Sequence, residues 1–237
     1  IKTEGTVASQ SYLELTADLM RRSGLTVNIS PGSIEVPGKQ DYHPKNLKVE
    51  GDYSSISYFA AGAALSGGEV TIRGLSPDSS QGDKVILEIL QQAGVRIIQR
   101  PDGYTISGEE LRAVEVDMHH CPDLVPTVAV VALFCRGTSR IRNVEHLQYK
   151  ESNRIQALIS NIENLGGSCV LAGKDLIIQP EKLRGGLIRT FNDHRIAMSF
   201  SLVGLKVQGI NIENPDCVRK SYPDFWQHFE LLHNSNV

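Results

Sequence analysis

Metal-binding cysteine patterns are absent from this sequence of 237 residues, which has only four cysteines. None of them forms a CxxC pair or belongs to a Cys/His cluster with the spacing of a zinc site. Each lies in or beside an apolar run, so we expect buried free thiols in a reducing, cytoplasmic environment and no metal site. The four are Cys121, Cys135, Cys169 and Cys217.

A basic excess and a long hydrophobic run are also missing. The formal net charge is -3 at pH 7, which argues against a general binder of nucleic acid or of anionic membranes. The longest apolar run, Val128 to Cys135, is too short to cross a bilayer. With 41% hydrophobic and 22% charged residues, the composition is typical of a soluble globular protein. These values still allow a local basic pocket.

Internal repetition is the strongest pattern in the sequence. Three segments begin with an aspartate and continue as an apolar helical stretch and then a β-rich stretch. They start at Asp52, Asp123 and Asp193, 71 and 70 residues apart. A second marker precedes the next helix of each segment, at Gln81, Lys150 and Lys220, in steps of 69 and 70 residues. We predict three units with the order strand-helix-strand-helix-strand-strand, the last without its closing strand pair.

The beginning of the chain matches the second half of such a unit, because Gly24 falls 70 residues before Gly94. The first residue is Ile1 rather than Met. We therefore expect a C-terminal portion of a longer protein. Residues 1–47 would be the remnant of a first domain and hold half a unit, and residues 48–237 would form a second domain with three units.

The first helix of each unit is almost entirely apolar, which predicts burial on all sides. Such helices favour an α/β fold in which each helix is wrapped by the small sheet of its own unit, rather than an open doubly wound sheet. The second helix of the middle unit is amphipathic instead, with apolar residues at steps of three and four. We therefore expect helices inside and sheets outside.

The helix starts of the three units are expected to converge on one place. Asp52, Asp123 and Asp193 each precede a helix and are suited to cap it, a role worth roughly 1 kcal/mol. If the units pack around an axis, their helix N-termini point the same way. The positive ends of the helix dipoles then attract phosphate or carboxylate.

Cationic side chains gather at the same helix starts. In an acidic chain, cations at helix N-termini oppose the preference of the dipole, and this indicates an anionic ligand that offsets the cost. The alternative for each of them is a solvated helix face. They are Lys150, Arg154, His194, Arg195 and Lys220.

Two carboxylates, Asp123 and Glu151, lie in the same neighbourhood of the sequence. Nearby cations would tune their pKa values for proton transfer. Alternatively, Glu151 forms a salt bridge with Arg154 along the helix, worth about 0.2–0.5 kcal/mol. Spacing alone does not choose between these roles.

Several motifs together resemble a known enzyme family. They are VEGDYSSISYFAAGAALSGG, PDLVPTVAVVALFCRGTSRIRN, KESNRI, FNDHRIAMSFSL and KSYPDFW. In this order they resemble 5-enolpyruvylshikimate-3-phosphate synthase (EPSP synthase), and the resemblance covers nearly the whole chain. It implies the enolpyruvyl transferase fold, an inside-out α/β barrel-like domain of repeated βαβαββ units. It also implies transfer of the enolpyruvyl group of phosphoenolpyruvate to the 5-hydroxyl of shikimate 3-phosphate, with release of phosphate, in aromatic amino-acid biosynthesis.

The resemblance further implies a set of catalytic residues. Asp123 would contact the shikimate hydroxyls and accept the 5-hydroxyl proton, and Glu151 would move protons at the enolpyruvyl methylene. Lys220 would hold phosphoenolpyruvate and act as a further proton donor. Arg154 and Arg195 would complete the cationic contacts to phosphoenolpyruvate.

The remaining implied residues bind substrate. Lys150 would lie near the phosphate of shikimate 3-phosphate, Ser9 and Tyr12 would contact that substrate, and His194 would line the pocket. The resemblance implies no metal and no cofactor. The implied partners are the two small-molecule substrates and the N-terminal half of the same enzyme, without which we expect no measurable turnover. Nucleic acid and membrane are not expected as partners.

Two alternatives stay open beside this interpretation. The sister enolpyruvyl transferase, which acts on UDP-N-acetylglucosamine, shares the fold and the reaction, and a non-catalytic repeat module would share the fold alone. The chain also departs from the family in places. Gln10 and Ser11 stand where the family often has Lys and Pro, and Ser152 and Asn153 stand where many members have Thr and Asp. These departures leave the implied catalytic residue types unchanged.

Overall fold

The computed structural model describes residues 1–5, 7, 10–43, 46, 48–108 and 110–234. Within them the chain forms helices and short strands, with 3-10 helices between several of them. The α-helices are α1 (Gln10–Arg22), α2 (Tyr53–Ser66), α3 (Ile86–Gln92), α4 (Val125–Ala132), α5 (Arg154–Asn164), α6 (His194–Ser201) and α7 (Phe225–Asn234). The strands are β1 (Asn28–Ser30), β2 (Ser33–Glu35), β3 (Glu69–Arg73), β4 (Arg96–Arg100), β5 (Gly103–Ser107), β6 (Glu115–Asp117), β7 (Ser139–Arg142), β8 (Ser168–Ala172), β9 (Asp175–Gln179), β10 (Gly186–Ile188) and β11 (Ile210–Ile212).

The middle unit has the complete predicted order, β6-α4-β7-α5-β8-β9. Its four strands form one sheet in the order β6-β7-β9-β8, in which β6 and β7 are parallel and the other pairs are antiparallel. A parallel pair requires a crossover connection, and α4 supplies it. The register pairs Val116 with Ile141, and both side chains are buried. The sequence prediction of a βαβαββ unit is confirmed here.

The other units are shorter versions of the same pattern. The first has α2, β3, α3, β4 and β5, with a sheet in the order β3-β5-β4, and residues 48–52, which precede α2 in this unit, form no strand. The third runs β10-α6-β11-α7 with β10 and β11 parallel, and up to residue 234 it has no closing strand pair, as predicted. At the start of the chain, α1 and the antiparallel pair β1–β2 form the predicted half unit. The division into two domains at residue 47 stays a prediction.

The first helices of the three units, α2, α4 and α6, form the interior of the molecule. All eight residues of α4 are buried, as are most residues of α2 and α6. Each packs against small sheets of its own unit, α2 against β3 and β5 and α4 against β7 and β9. Helices that are apolar all round cannot face water on any side, which explains why the sheets lie outside them. The prediction of helices inside and sheets outside is confirmed.

A chain of buried hydroxyl groups joins the three interior helices. Thr127 Oγ1 on α4 lies 3.2 Å from Ser57 Oγ on α2 and 3.2 Å from Ser199 Oγ on α6. Ser57 donates its single proton to the Ser54 carbonyl at 2.6 Å, so Thr127 must donate to Ser57 and accept from Ser199. Each hydroxyl is at most 1% exposed. These groups have no water to replace a lost partner, so the chain of bonds fixes how the helices meet.

Replacing Thr127 by valine should therefore destabilise the protein although the side chains have nearly the same shape. Removing its hydroxyl leaves the Ser57 and Ser199 groups short of a buried partner, at a cost of about 1–3 kcal/mol. Urea unfolding monitored by circular dichroism measures this loss. Thr26→Val is the control, because the Thr26 side chain is exposed. Equal stability of the two variants would refute the role of the hydroxyl chain.

The cysteines largely behave as predicted. Cys121, Cys135 and Cys169 are buried free thiols, and Cys217 is half-buried. Burial raises the pKa of Cys135 to about 11, so that thiol stays protonated near neutral pH. Within the described part of the chain, no helix combines the length and apolar character needed to cross a membrane.

Candidate active site

Two of the three repeat aspartates cap helices. The Asp52 carboxylate accepts hydrogen bonds from the backbone N–H groups of Ser54 and Ser55 at 3.2 and 3.0 Å, at the start of α2. The Asp193 carboxylate accepts from the N–H of Arg195 at 3.0 Å, at the start of α6. The cap prediction is confirmed for both residues.

The third aspartate, Asp123, has a different role, and the prediction that it caps a helix was wrong. It lies in the 3-10 helix Pro122–Leu124, and neither that helix nor α4 has a side-chain cap in the described chain. Its Oδ1 lies 2.8 Å from Arg154 Nη1 and 3.8 Å from Lys150 Nζ, and its Oδ2 lies 2.9 Å from Arg195 Nη2. Within this turn the Leu124 N–H donates to the Cys121 carbonyl at 3.2 Å, and the Asp123 carboxylate faces three cations instead of capping a helix.

Arg154 lies at the centre of this ion-pair network and has no solvent exposure. Its guanidinium contacts Asp123 through Nη1 at 2.8 Å, Glu151 through Nη2 at 2.7 Å and Asp193 through Nε at 2.8 Å. Burial by itself would lower the pKa of Arg154, but the three carboxylates outweigh it and raise the pKa. Arg154 therefore orients three carboxylates, and it has no exposed surface for the expected contact with phosphoenolpyruvate.

Arg195 is a cation of the cluster with a buried, unused donor. Its Nη2 pairs with Asp123, and its Nη1 donates to Tyr58 Oη at 3.2 Å. Its Nε is buried and has no hydrogen-bond partner among the described residues. Burial raises the pKa of Tyr58 to about 12, so the phenol keeps its own proton. The free Nε–H group is suited to donate to a carboxylate or phosphate oxygen.

Glu151 and Lys220 form the more exposed side of the cluster. Their Oε1 and Nζ atoms lie 2.9 Å apart, although 69 residues separate them in the chain. The two side chains are 31% and 57% exposed. Burial would raise the pKa of Glu151, but the hydrogen bond from Lys220 and the charge of Arg154 lower it to about 2. Glu151 is therefore ionised in this state, and an anion that drew Lys220 away would raise its pKa.

Acid should lower the free energy of unfolding of the protein, because it protonates the carboxylates of this cluster. The pKa of Glu151 is about 2 when folded and ordinarily 4.5, so the stability it contributes is complete above pH 4.5 and is lost as the pH falls towards 2. Asp123 acts in the same direction: its burial opposes ionisation, but Arg195, Arg154 and Lys150 outweigh burial and lower its pKa.

Urea unfolding midpoints between pH 6 and 2 measure this acid dependence. Glu151→Gln should flatten the slope below about pH 4.5, because glutamine does not titrate. The control is Glu88→Gln, at an exposed position of α3. A Glu151→Gln slope as steep as that of the unchanged protein would contradict the paired state of Glu151.

Tyr12 joins the site through a carboxylate that the sequence analysis missed. Its Oη donates to Asp83 at 3.3–3.4 Å, and the Ser54 hydroxyl also donates to Asp83. Asp83 is 2% exposed, and burial raises its pKa to about 6. Asp83 stands two residues after the marker Gln81, at the repeat position that Ser152 occupies in the middle unit. The repeat alignment therefore contained the signal, although the residue types differ.

His194 and Ser9 complete the account of the predicted residues. His194 is 3% exposed, and its Nδ1 lies 3.8 Å from Asp193 and has no hydrogen bond within the described chain. Burial, followed by the charge of Arg195, lowers the pKa of His194. Ser9 lies outside the described residues. The predicted residues that share one network of ion pairs are Asp123, Lys150, Glu151, Arg154, Arg195 and Lys220, and His194 lies beside this network.

This geometry suits an anionic substrate and proton transfer at one place. Four permanent cations face three carboxylates, and the cations are partly exposed except for the buried Arg154. Clustered arginine and lysine groups bind phosphate and carboxylate strongly. The ionised carboxylates beside them are positioned to exchange protons with a bound ligand.

The chain is similar to a family of known proteins along most of its length. Residues 1–229 match the model of the family described as EPSP synthase (3-phosphoshikimate 1-carboxyvinyltransferase). A 3-phosphoshikimate 1-carboxyvinyltransferase of Colwellia psychrerythraea is 40% identical over 230 residues, which cover 95% of this chain and 54% of that protein. The protein of the same name from Methanoregula boonei is 41% identical over 225 residues, which cover 94% of this chain and 53% of that protein.

A solved structure agrees with these relatives. The EPSP synthase of Acinetobacter baumannii superposes with a TM-score of 0.79 at 26% sequence identity, and the match covers 98% of this chain and 55% of that chain. The chain thus spans about half the length of the curated relatives it matches. The matching folds confirm the predicted enolpyruvyl transferase architecture. This chain belongs to the EPSP synthase family.

Proposed function

We propose that this chain is part of an enzyme that transfers the enolpyruvyl group of phosphoenolpyruvate to the 5-hydroxyl of shikimate 3-phosphate and releases phosphate. The observation that carries the proposal is the joint network of Asp123, Glu151, Arg195 and Lys220. Both substrates carry phosphate and carboxylate groups, so a cluster of cations with adjacent proton acceptors matches their chemistry. The names of the relatives support the same reaction.

Proton transfer is assigned to three residues of the network. Asp123 accepts the proton of the 5-hydroxyl as that oxygen attacks C2 of phosphoenolpyruvate, while C3 gains a proton. Glu151 and Lys220 deliver this C3 proton and remove one again when phosphate leaves, so the enol double bond is restored. Glu151 can hold a proton only if its pKa rises, and an anion that engages Lys220 would have that effect.

Substrate binding is assigned to the surrounding cations. Arg195 and Lys220 hold phosphoenolpyruvate, and Lys150 binds the phosphate of shikimate 3-phosphate. Arg154 acts as a positioning residue, because it is buried among three carboxylates. This differs from direct binding of phosphoenolpyruvate, which the resemblance implied.

The other assignments complete the proposed substrate site. Tyr12 and Ser9 contact shikimate 3-phosphate, and His194 lines the pocket as a neutral imidazole. The working partners are the two small-molecule substrates and a segment that corresponds to the half of the family that this chain does not span. The reaction needs no redox cofactor or metal, and we place the enzyme in the cytoplasm, without nucleic-acid or membrane partners.

Phosphate release with two acceptors tests this function. A full-length enzyme that contains this chain should release phosphate from phosphoenolpyruvate in the presence of shikimate 3-phosphate and not of UDP-N-acetylglucosamine. The 237-residue chain alone should release none with either acceptor. Release with the amino-sugar nucleotide would favour the sister transferase, and release with neither by the full-length enzyme would favour a non-catalytic module.

A further inference from the structure

Tyr58 brings a phenol hydroxyl to the charged network from the interior helix α2. The residue is 1% exposed, and its ring packs edge to face on Phe225 at the start of α7, with centroids 5.7 Å apart and an interplanar angle of 83°. A phenylalanine at position 58 could make the same ring contact. Packing alone therefore does not account for the hydroxyl group.

The hydroxyl group has one hydrogen-bond partner among the described residues, the guanidinium of Arg195. Arg195 Nη1 donates to Tyr58 Oη at 3.2 Å. The two residues are 137 positions apart, and they lie on α2 of the first unit and α6 of the third. Because a buried hydroxyl without a partner is costly, the contact with Arg195 explains why a tyrosine can occupy this position.

Two contacts fix the orientation of the Arg195 guanidinium. Its Nη2 lies 2.9 Å from Asp123 Oδ2, and its Nη1 is held by Tyr58. A guanidinium is planar and its N–H groups have a fixed geometry, so partners on two different nitrogens orient the whole group. Without the Tyr58 hydroxyl, Asp123 alone would hold the guanidinium, and the group could turn about that one contact.

The neutral character of Tyr58 suits a site for an anion. Burial raises the pKa of Tyr58 to about 12, so the phenol accepts this hydrogen bond without carrying a negative charge at neutral pH. A carboxylate at this position would neutralise Arg195 and compete with an anionic ligand. The network holds four permanent cations against three carboxylates, and a neutral partner for Arg195 preserves this excess of positive charge.

We propose that Tyr58 is a positioning residue for phosphoenolpyruvate binding, which holds the guanidinium of Arg195 in the orientation that receives the anion. Tyr58 acts through Arg195 and not by direct contact with the substrate. The inference rests on the proposed function, in which Arg195 holds phosphoenolpyruvate. It makes the first unit contribute to a binding group that the third unit supplies.

Steady-state kinetics of Tyr58→Phe in a full-length enzyme that contains this chain test this role. The hydrogen bond to a charged group that is lost is commonly worth about tenfold or more in affinity, so KM for phosphoenolpyruvate should rise about tenfold. The kcat and the KM for shikimate 3-phosphate should stay within about threefold, as expected when substrate binding alone is weakened.

Tyr53→Phe is the matched control for Tyr58→Phe. Tyr53 is also a completely buried tyrosine of α2, but its Oη donates to the Ser76 carbonyl at 2.8 Å. Both variants lose one buried hydroxyl and keep the aromatic ring, so both should fold. Only Tyr58→Phe should change the KM for phosphoenolpyruvate.

Side-chain NMR of the 237-residue chain without substrate tests the contact apart from the reaction. The Nη groups of Arg195 should give separate signals in the unchanged chain, because two partners restrict the rotation of the guanidinium. These signals should merge or broaden in Tyr58→Phe and stay separate in Tyr53→Phe. Their loss in Arg195→Lys assigns them.

The two measurements together decide the proposal. A raised KM for phosphoenolpyruvate and merged Arg195 signals, both absent from Tyr53→Phe, support it. An unchanged KM, separate Arg195 signals in Tyr58→Phe, or equal changes in the two variants overturn it. If the unchanged full-length enzyme releases no phosphate from these substrates, the proposed function fails, and the NMR signals alone decide whether Tyr58 positions Arg195.

Discussion

Replacing Arg154 by methionine should destabilise the chain by about 3–5 kcal/mol, the usual cost of removing one partner of a buried ion pair. Arg154 is completely buried and forms ion pairs with three carboxylates, one of which, Asp193, is itself completely buried. Methionine keeps most of the apolar stem but leaves these negative charges facing one another. Urea unfolding at pH 7 measures the loss.

A matched surface pair provides the control for Arg154. Arg140 pairs with Asp175 at 2.6 Å, but the arginine side chain is 51% exposed. Arg140→Met should cost less than Arg154→Met, because the arginine is half exposed and Asp175 keeps its hydrogen bond from the Asn143 N–H. If Arg154→Met does not fold, Arg154→Lys still tests whether Arg154 stabilises the chain. Lysine keeps the positive charge, but it cannot contact three carboxylates in the geometry of a guanidinium. Equal losses at Arg154 and Arg140 would show that the buried network contributes nothing special to stability.

Replacing Glu151 by glutamine should lower turnover by about 10²–10⁴-fold in a full-length enzyme that contains this chain, the range typical of a lost general acid or base. Glu151 accepts from Lys220 through Oε1 and from Arg154 through Oε2, and glutamine keeps one of these two acceptors and nearly the same shape, so the local arrangement is largely retained. The steady-state rate of phosphate release should therefore fall far more than the affinity for either substrate.

An exposed glutamate on α5, the helix that follows Glu151, is the control for Glu151. Glu163 lies on α5 with an exposed side chain, and Glu163→Gln should leave turnover within about twofold of the unchanged enzyme, as expected away from the site. Unchanged turnover in Glu151→Gln would remove Glu151 from the proposed proton transfers. A loss confined to substrate affinity would reassign it to binding.

The repeat explains why much of the fold could be predicted from sequence. The apolar runs after Asp52, Asp123 and Asp193 have one physical consequence, because a helix without a polar face must be surrounded by other elements. Local turn chemistry and period-two alternation then mark the strand pairs that cover these helices. The first unit differs from the prediction because it has no strand directly before α2. In place of that strand, the backbone N–H of Gly51 donates to the Gly74 carbonyl at 2.8 Å.

The sequence could indicate which residues belong to the candidate site. It could not indicate which of them contact one another. Helical spacing brought Glu151 near Arg154, whereas Asp193 reaches Arg154 across 39 residues and Tyr58 reaches Arg195 across 137. Such pairs depend on how the interior helices meet, which local patterns do not encode. For this reason the sequence indicated that Arg154 is a cation that binds ligand. In the structure, Arg154 is buried among carboxylates.

Side-chain NMR of arginine Nε–H groups during titration with phosphoenolpyruvate and shikimate 3-phosphate tests most directly whether an anionic ligand enters this network. The Arg195 resonance should shift on saturation, because its Nε–H group is buried and lacks a partner among the described residues. The Arg140 resonance, from the distant surface pair, should not move. A titration that shifts surface arginines and leaves Arg195 unchanged would contradict the account.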